Sequence, residues 1–280
     1  MRKIDLFQAK DGHWISNEYL LKKLIEVEAH KSEILFIHSD MSFGMPNLAL
    51  KKSDMLHLVL ETVMGLGVKT ICFPTFTFSF CNGQNYDVKN SKSQMGALNE
   101  FVRKQPFAVR SIDPLMSVAL IGEDKDLVTG IGYDSVGSKS TFDKLHSRKN
   151  VKFLFFGVSA GKCFTYTHYI EERLSVPYRY DRDFTGTIVD GDRQYTDTYK
   201  LFVRYKDVVP TRRNDFERFL VDNKMMKQVS CGDSSISSVD ESIAYETLCE
   251  KIHRNINYML DRPYPKILDK EFSVTNMVAL

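Results

Sequence analysis

The run Val151-Lys-Phe-Leu-Phe-Phe156 constrains the fold of this chain more than any other segment. A half-exposed strand alternates apolar and polar residues, whereas this run is almost continuously apolar. It therefore predicts a strand covered on both faces, with packed layers above and below it. Ile34-Leu-Phe-Ile-His38 has the same character. It follows an amphipathic helix pattern in which Ser16 is the cap and Leu20, Leu21, Leu24 and Ile25 form the apolar face. Ser53 is placed to cap the next helix, with Leu56, Val59, Leu60 and Val63 inward, a break at Gly65-Leu-Gly67 and then the strand Thr70-Ile-Cys-Phe73. Strand, helix, strand in that order predicts a parallel pair.

Further along, residues 95–104 read as a helix and 117–121 as a strand, while the polar stretch 79–93 with Asn82-Gly83 reads as a long surface loop. Between about 184 and 206 the pattern changes to β-branched and aromatic residues folded about Asp190-Gly191, which predicts an antiparallel hairpin insertion. Helices are expected at 215–224 and after a capping box of Ser238 and Glu241 that leads into Ile243, Leu248, Ile252 and Ile256. Without an internal repeat or linker, residues 1–280 read as one α/β domain.

Composition excludes several functions. Lys plus Arg number 38 against 36 for Asp plus Glu, a formal balance of +2, so no overall field favours nucleic acid or an anionic membrane. The five cysteines are widely spaced and form no metal-binding or disulfide pattern, which suits a reducing cytoplasm, and no metal is expected. No run approaches the roughly 20 apolar residues of a spanning helix.

Three segments carry candidate chemistry. Gly157-Val-Ser159-Ala-Gly161, between a buried strand and a helix, has the spacing of a hydrolase nucleophile elbow. That reading also needs a later histidine on a loop, and His253 falls inside a predicted helix. His168 and Glu171, three apart on a helix, share a face, so the carboxylate can hold one ring nitrogen and leave the other as a general base. A surface histidine capped by its neighbour gives the same pattern, and both readings stay open on the residues alone. The turn His38-Ser39-Asp40-Met41-Ser42-Phe43-Gly44 could present backbone N–H groups to a phosphate, and Arg110-Ser-Ile-Asp-Pro-Leu-Met-Ser117 reads as a polar turn locked by proline.

In order and spacing, FIHSDMSFG (36–44), FPTFTF (73–78), MGALNEFVR (95–103), VRSIDPLMSVALIG (109–122) and FFGVSAGKCFTYTHYIEE (155–172) resemble the aminoglycoside 3-N-acetyltransferase family. The resemblance spans about 16–256 and implies a mixed β-sheet flanked by helices, an acyl-CoA co-substrate and direct transfer to an amine. It implies His168 as base, supported by Glu171, and a CoA site drawn from Ser39, Asp40, Met41, Ser42, Phe43, Gly44, Arg110, Ser111 and Ser117. It also demotes Ser159, where the family commonly has glycine. Asp40 and Asp113 depart from the family's usual residues.

For the acceptor we expect contacts from Thr75, Thr77, Tyr166, Arg179, Arg182 and Arg213, with Thr75 and Thr77 as candidate oxyanion donors. The arginines suit an anion, which favours a nucleotide-linked amino sugar over an aminoglycoside. A serine hydrolase built on Ser159 and a silent ligand-binding protein of the same fold are the competing classes.

Overall fold

A computed structural model describes residues 2–211 and 215–271 of the chain. The first part holds β1 (Asp5–Gln8), β2 (Trp14–Ser16), α1 (Asn17–Glu26), β3 (Ile34–Ser39), β4 (Met45–Pro46), α2 (Lys52–Met64) and β5 (Thr70–Pro74). The middle holds β6 (Tyr86–Asp87), α3 (Ala97–Val102), β7 (Val109–Arg110), β8 (Val118–Gly122), α4 (Thr141–His146), β9 (Val151–Phe156), α5 (Ala160–Cys163) and α6 (Thr167–Arg173). Then come β10 (Arg179–Asp190), β11 (Arg193–Arg204), α7 (Asp215–Asp222), β12 (Met226–Cys231), β13 (Ser234–Asp240) and α8 (Glu241–Arg254).

Seven strands form the main sheet in the order β12-β13-β9-β3-β5-β8-β7. β9, β3 and β5 run parallel through its middle, and the strands outside them are added antiparallel. This is the mixed sheet flanked by helices that the resemblance implies, and the pairing of β3 with β5 is the expected parallel pair.

β9 is buried at every position. The two-residue period of a strand divides it between two cores. Phe153 and Phe155 join Phe36, Phe164, Tyr166 and Tyr169 on one face, and Leu154 and Phe156 join Leu20, Leu24, Val59 and Leu60 of α1 and α2 on the other. Among the described residues no helix is long and apolar enough to cross a membrane.

Several local expectations change. Ser16 does cap α1, its side chain accepting from the Tyr19 N–H, but the cap position of α2 is Lys51, which makes no side-chain cap bond, and Ser53 donates to Asp54 instead. Ser238 is no helix cap: it lies within β13, its hydroxyl donating to the Val27 carbonyl, because pairing with β9 carries the strand on to Asp240. The hairpin begins at Arg179 rather than near 184, with Arg179 opposite Arg204 at its base. The loop at 79–93 is anchored from beneath by buried Phe80 and Tyr86, the Tyr86 hydroxyl donating to the Ser111 carbonyl at 2.8 Å.

β9 turns into α5 at Gly157, where φ is +76° and a Cβ would stand 2.0 Å from the Asp40 carbonyl oxygen. Only glycine permits both the left-handed backbone and this approach of the β9 turn to the turn after β3. Gly157→Ala is expected to cost about 3 kcal/mol of stability, read by denaturant unfolding, since strain and a backbone clash coincide. A change within about 0.5 kcal/mol would show that the two turns are not held together here.

Candidate active site

The carboxyl ends of the three parallel strands lie side by side, the position where open α/β sheets collect ligands. A cavity of about 450 Å³ opens there, lined by His38 and Ser39 at the end of β3, Asp40 just after it, Pro74 at the end of β5, Asn99 on α3 and Val158 after β9. Its far wall is Lys162 and Cys163 of α5, which also wall a second cavity containing His168, Glu171, Arg179 and Arg204. Two sites thus meet across one helix end. A co-substrate in the first could reach an acceptor in the second.

His168 and Glu171 share the inward face of α6, as their spacing requires. His168 Nδ1 lies 3.3 Å from Glu171 Oε2, and the hydroxyl of Tyr178 donates to Glu171 Oε1 at 2.9 Å. Both side chains are buried, which excludes the surface-histidine reading. Burial and the charge of Arg179 bring the His168 pKa down to about 4, so the ring is neutral near pH 7. Burial pushes the Glu171 pKa up, but Arg179 and the ring outweigh it and leave the carboxyl at about 2. His168 Nε2 has no hydrogen-bond partner among the described residues.

The other expected contacts sort themselves by burial. Ser39 and Asp40 line the first cavity, with Ser39 donating to Asn99. Met41 packs on the core of the α1–α2 face, Ser42 is exposed, and Phe43 is fully buried against Phe7 and Phe156. Gly44 allows the chain to pass Gln8, whose carbonyl oxygen a Cβ would meet at 2.3 Å. Ser111 and Ser117 are fully buried, bonded to the Val118 N–H and the Thr75 carbonyl. Arg110 donates to Thr75, Val88, Ser91 and Ser117, so its guanidinium ties the loop to the sheet edge. Thr75 is buried in the same network, and Thr77 holds Ser79 and the Pro114 carbonyl. These side chains are structural because the polar turn before β8 has buried backbone groups to satisfy. Asp113 serves the same end, accepting from the N–H groups of Leu115 and Met116.

Tyr166 is fully buried behind α6, its hydroxyl donating to Glu241, and it supports the helix rather than lining the His168 cavity. Arg182 is partly exposed on the hairpin, over the Phe184 ring. Arg213 lies outside the described residues. Arg179 spends both terminal nitrogens on Glu171, His168 and the Phe202 carbonyl, and only its buried Nε–H is left without a partner among the described residues.

Ser159 stands at the start of α5 in ordinary extended backbone, φ −79° and ψ 139°, and its hydroxyl donates to Glu217 rather than to a histidine. The Glu217 carboxylate also accepts from the Gly161 N–H at 3.1 Å and so caps α5. The strained elbow and the base that a serine nucleophile needs are not at Ser159. Glu217 and Arg204, both buried at the cavity, were missed from sequence. Glu217 is one acid in an amphipathic helix, but counting back from Asp190-Gly191 pairs Arg204 with Arg179 and could have found it. Among the described residues no group of three or more His, Cys, Asp and Glu could hold a metal ion.

This fold and site define an acyl-CoA-dependent N-acyltransferase. A profile of the family described as Aminoglycoside 3-N-acetyltransferase matches residues 37–250, and the chain belongs to that family. Similar solved structures include aminoglycoside acetyltransferase AAC(3)-Xa (15% identity, 88% of this chain and 94% of that one, TM-score 0.73). Others are AAC-IIIb in a binary complex with CoASH (14%, 89% and 98%, TM-score 0.70) and YokD from Bacillus subtilis (16%, 86% and 94%, TM-score 0.69). No curated protein sequence matches the chain.

Two substitutions check these assignments. Tyr166→Phe is expected to lower stability by about 1–2 kcal/mol, because it leaves the buried Glu241 short of a donor, while turnover stays within a few fold; a large rise in acceptor KM would return Tyr166 to the binding site. Ser159→Ala is expected to keep turnover within a few fold as well, and abolished activity would restore the nucleophile reading.

Proposed function

We propose that the protein transfers an acyl group from acyl-CoA to an amine of an aminoglycoside-type amino sugar, with His168 as general base. The observation that carries this reading is the neutral, buried imidazole of His168, held at Nδ1, beside a cavity that shares one wall with a second cavity at the strand ends. An alkylammonium group cannot attack a thioester until it loses a proton, and a neutral imidazole can take it. Attack of the amine on the thioester carbonyl forms the amide bond, and the thiolate of CoA departs with the electron pair of the broken C–S bond.

The CoA side is supported by charge. A groove of about 910 Å³ adjoins the strand-end cavity through Gln94 and Gly96 and carries Lys52, Lys92 and Lys104. These cations suit the phosphates of CoA. The acceptor side supports an amine-rich sugar over the nucleotide-linked one expected from the arginines. Arg179 is committed to Glu171 and His168, whereas Glu217 lines the His168 cavity beside Asp215, which is paired with Arg218. Glu217 accepts only from neutral donors among the described residues, so an ammonium group is a fitting partner. The likeness to AAC-VIa bound to sisomicin (16% identity, TM-score 0.70) is in keeping with this acceptor class.

His168→Ala is expected to lower kcat by about two to four orders of magnitude with little change in CoA affinity. Near-normal turnover would remove His168 from the reaction. At saturating acceptor, kcat should fall only as pH drops toward about 4, where the imidazole gains its proton, not near the ordinary histidine value. A thiol-release assay with acetyl-CoA should give turnover with aminoglycosides and little with nucleotide-linked amino sugars. The reverse preference would overturn the acceptor class and leave the acyl transfer standing.

A further inference from the structure

Two neighbours meet His168 at the same ring nitrogen and require opposite things of it. Glu171 Oε2, 3.3 Å from Nδ1, is a carboxylate oxygen that can only accept, so it favours a proton on Nδ1 and an open lone pair on Nε2. Arg179 Nη2, 2.8 Å from the same Nδ1, can only donate, so it favours a bare Nδ1 and a proton on Nε2. Arg179 Nη2 also lies 2.7 Å from Glu171 Oε2, and the three groups close a triangle at the base of the hairpin. Arg179 is fixed there, buried, with Nη1 donating to the Phe202 carbonyl at 3.0 Å.

A dyad alone would work poorly at this depth. A buried carboxylate whose only charged neighbour is an imidazole holds that ring as imidazolium, and a permanently protonated ring is no base at neutral pH. The guanidinium removes the difficulty by neutralising Glu171 directly. We propose that Arg179 is a positioning residue of the His168 base: by competing with Glu171 for Nδ1 it holds the resting imidazole uncharged, with its proton on Nε2. Exchange of that proton through solvent onto Nδ1, with the Arg179 Nη2 N–H turning wholly to Glu171 Oε2, opens the Nε2 lone pair with no net proton gained. The inference rests on the reading of His168 as base.

The other charged and titratable groups at the cavity do not replace Arg179. Tyr178 donates to Glu171 and Glu217 is turned to Ser159 and Gly161. Arg204 acts on the ring in the same direction as Arg179, with the smaller effect. Lys162, Cys163, Asp215 and Tyr258 complete the lining, and none of them is bonded to the ring.

The test is nitrogen NMR of the His168 ring in the substrate-free protein, the signal assigned by its loss in His168→Gln. At pH 7 the wild type should show a neutral ring protonated on Nε2. An imidazolium, or a ring protonated on Nδ1, would overturn the inference without recourse to any variant. In Arg179→Met the ring's titration midpoint should rise by about 1 pH unit or more, with the acid limb of kcat moving the same way, and Arg179→Lys should shift it less. An unchanged midpoint in folded Arg179→Met, or a raised acceptor KM alone, contradicts the proposal. The titration needs no substrate, so it is read independently of turnover: an active His168→Ala enzyme would overturn the base assignment, not the ring's tautomer.

Discussion

Burial of β9 and β3 on both faces is the constraint on which the rest depends. Their side chains alternate between two cores, so layers must cover the sheet above and below, and only its edges and ends stay open to ligands. Phe153 alone would leave a cavity worth about 3–5 kcal/mol if cut to alanine. The strand ends inherit this rigidity. His38 is the next residue of β3 on the Phe36 face, stacked on Phe155 at 5.4 Å, with Nε2 3.0 Å from the Thr165 hydroxyl. α6 is therefore docked onto the same strands that form the neighbouring cavity.

On that frame the electrostatics follow from depth. Glu171 could not remain ionised so far from water without a cation, and Arg179 reaches it because the hairpin starts directly after α6. Behind the helix, Tyr166 and His146 both bond Glu241 at the start of α8, so the face of α6 away from the cavity is also fixed by polar contacts. If His168 is the base, as proposed, being held from both sides leaves it little freedom to lose when substrate arrives, and pre-organisation of this kind is where enzymes gain much of their rate.

Much of this was legible in the sequence because it depends on local period and order. The continuous run at β9, the parallel pair β3 and β5, the capped α1, and the His168–Glu171 spacing could all be read from neighbouring residues. Burial decided the rest. Arg110, Ser111, Ser117 and Thr75 look like ligand contacts because polar residues clustered at a strand end usually are, yet here they satisfy buried backbone groups of a loop whose path the sequence does not reveal. Arg179 has the local pattern of an anion-binding arginine, and nothing in that pattern tells that the hairpin turns it inward onto α6. Ser238 has the pattern of a helix cap, but pairing with β9 outweighs it and keeps the residue in the sheet.

Acyl transfer at this site requires the amine and the thioester to meet at His168. A crystal structure of the protein with CoA and an aminoglycoside measures this directly. The acceptor amine is expected within hydrogen-bond distance, about 3 Å, of His168 Nε2, with the CoA sulfur at the Lys162–Cys163 wall. An amine bound elsewhere, or a CoA sulfur out in the groove of Lys52, Lys92 and Lys104, would contradict it.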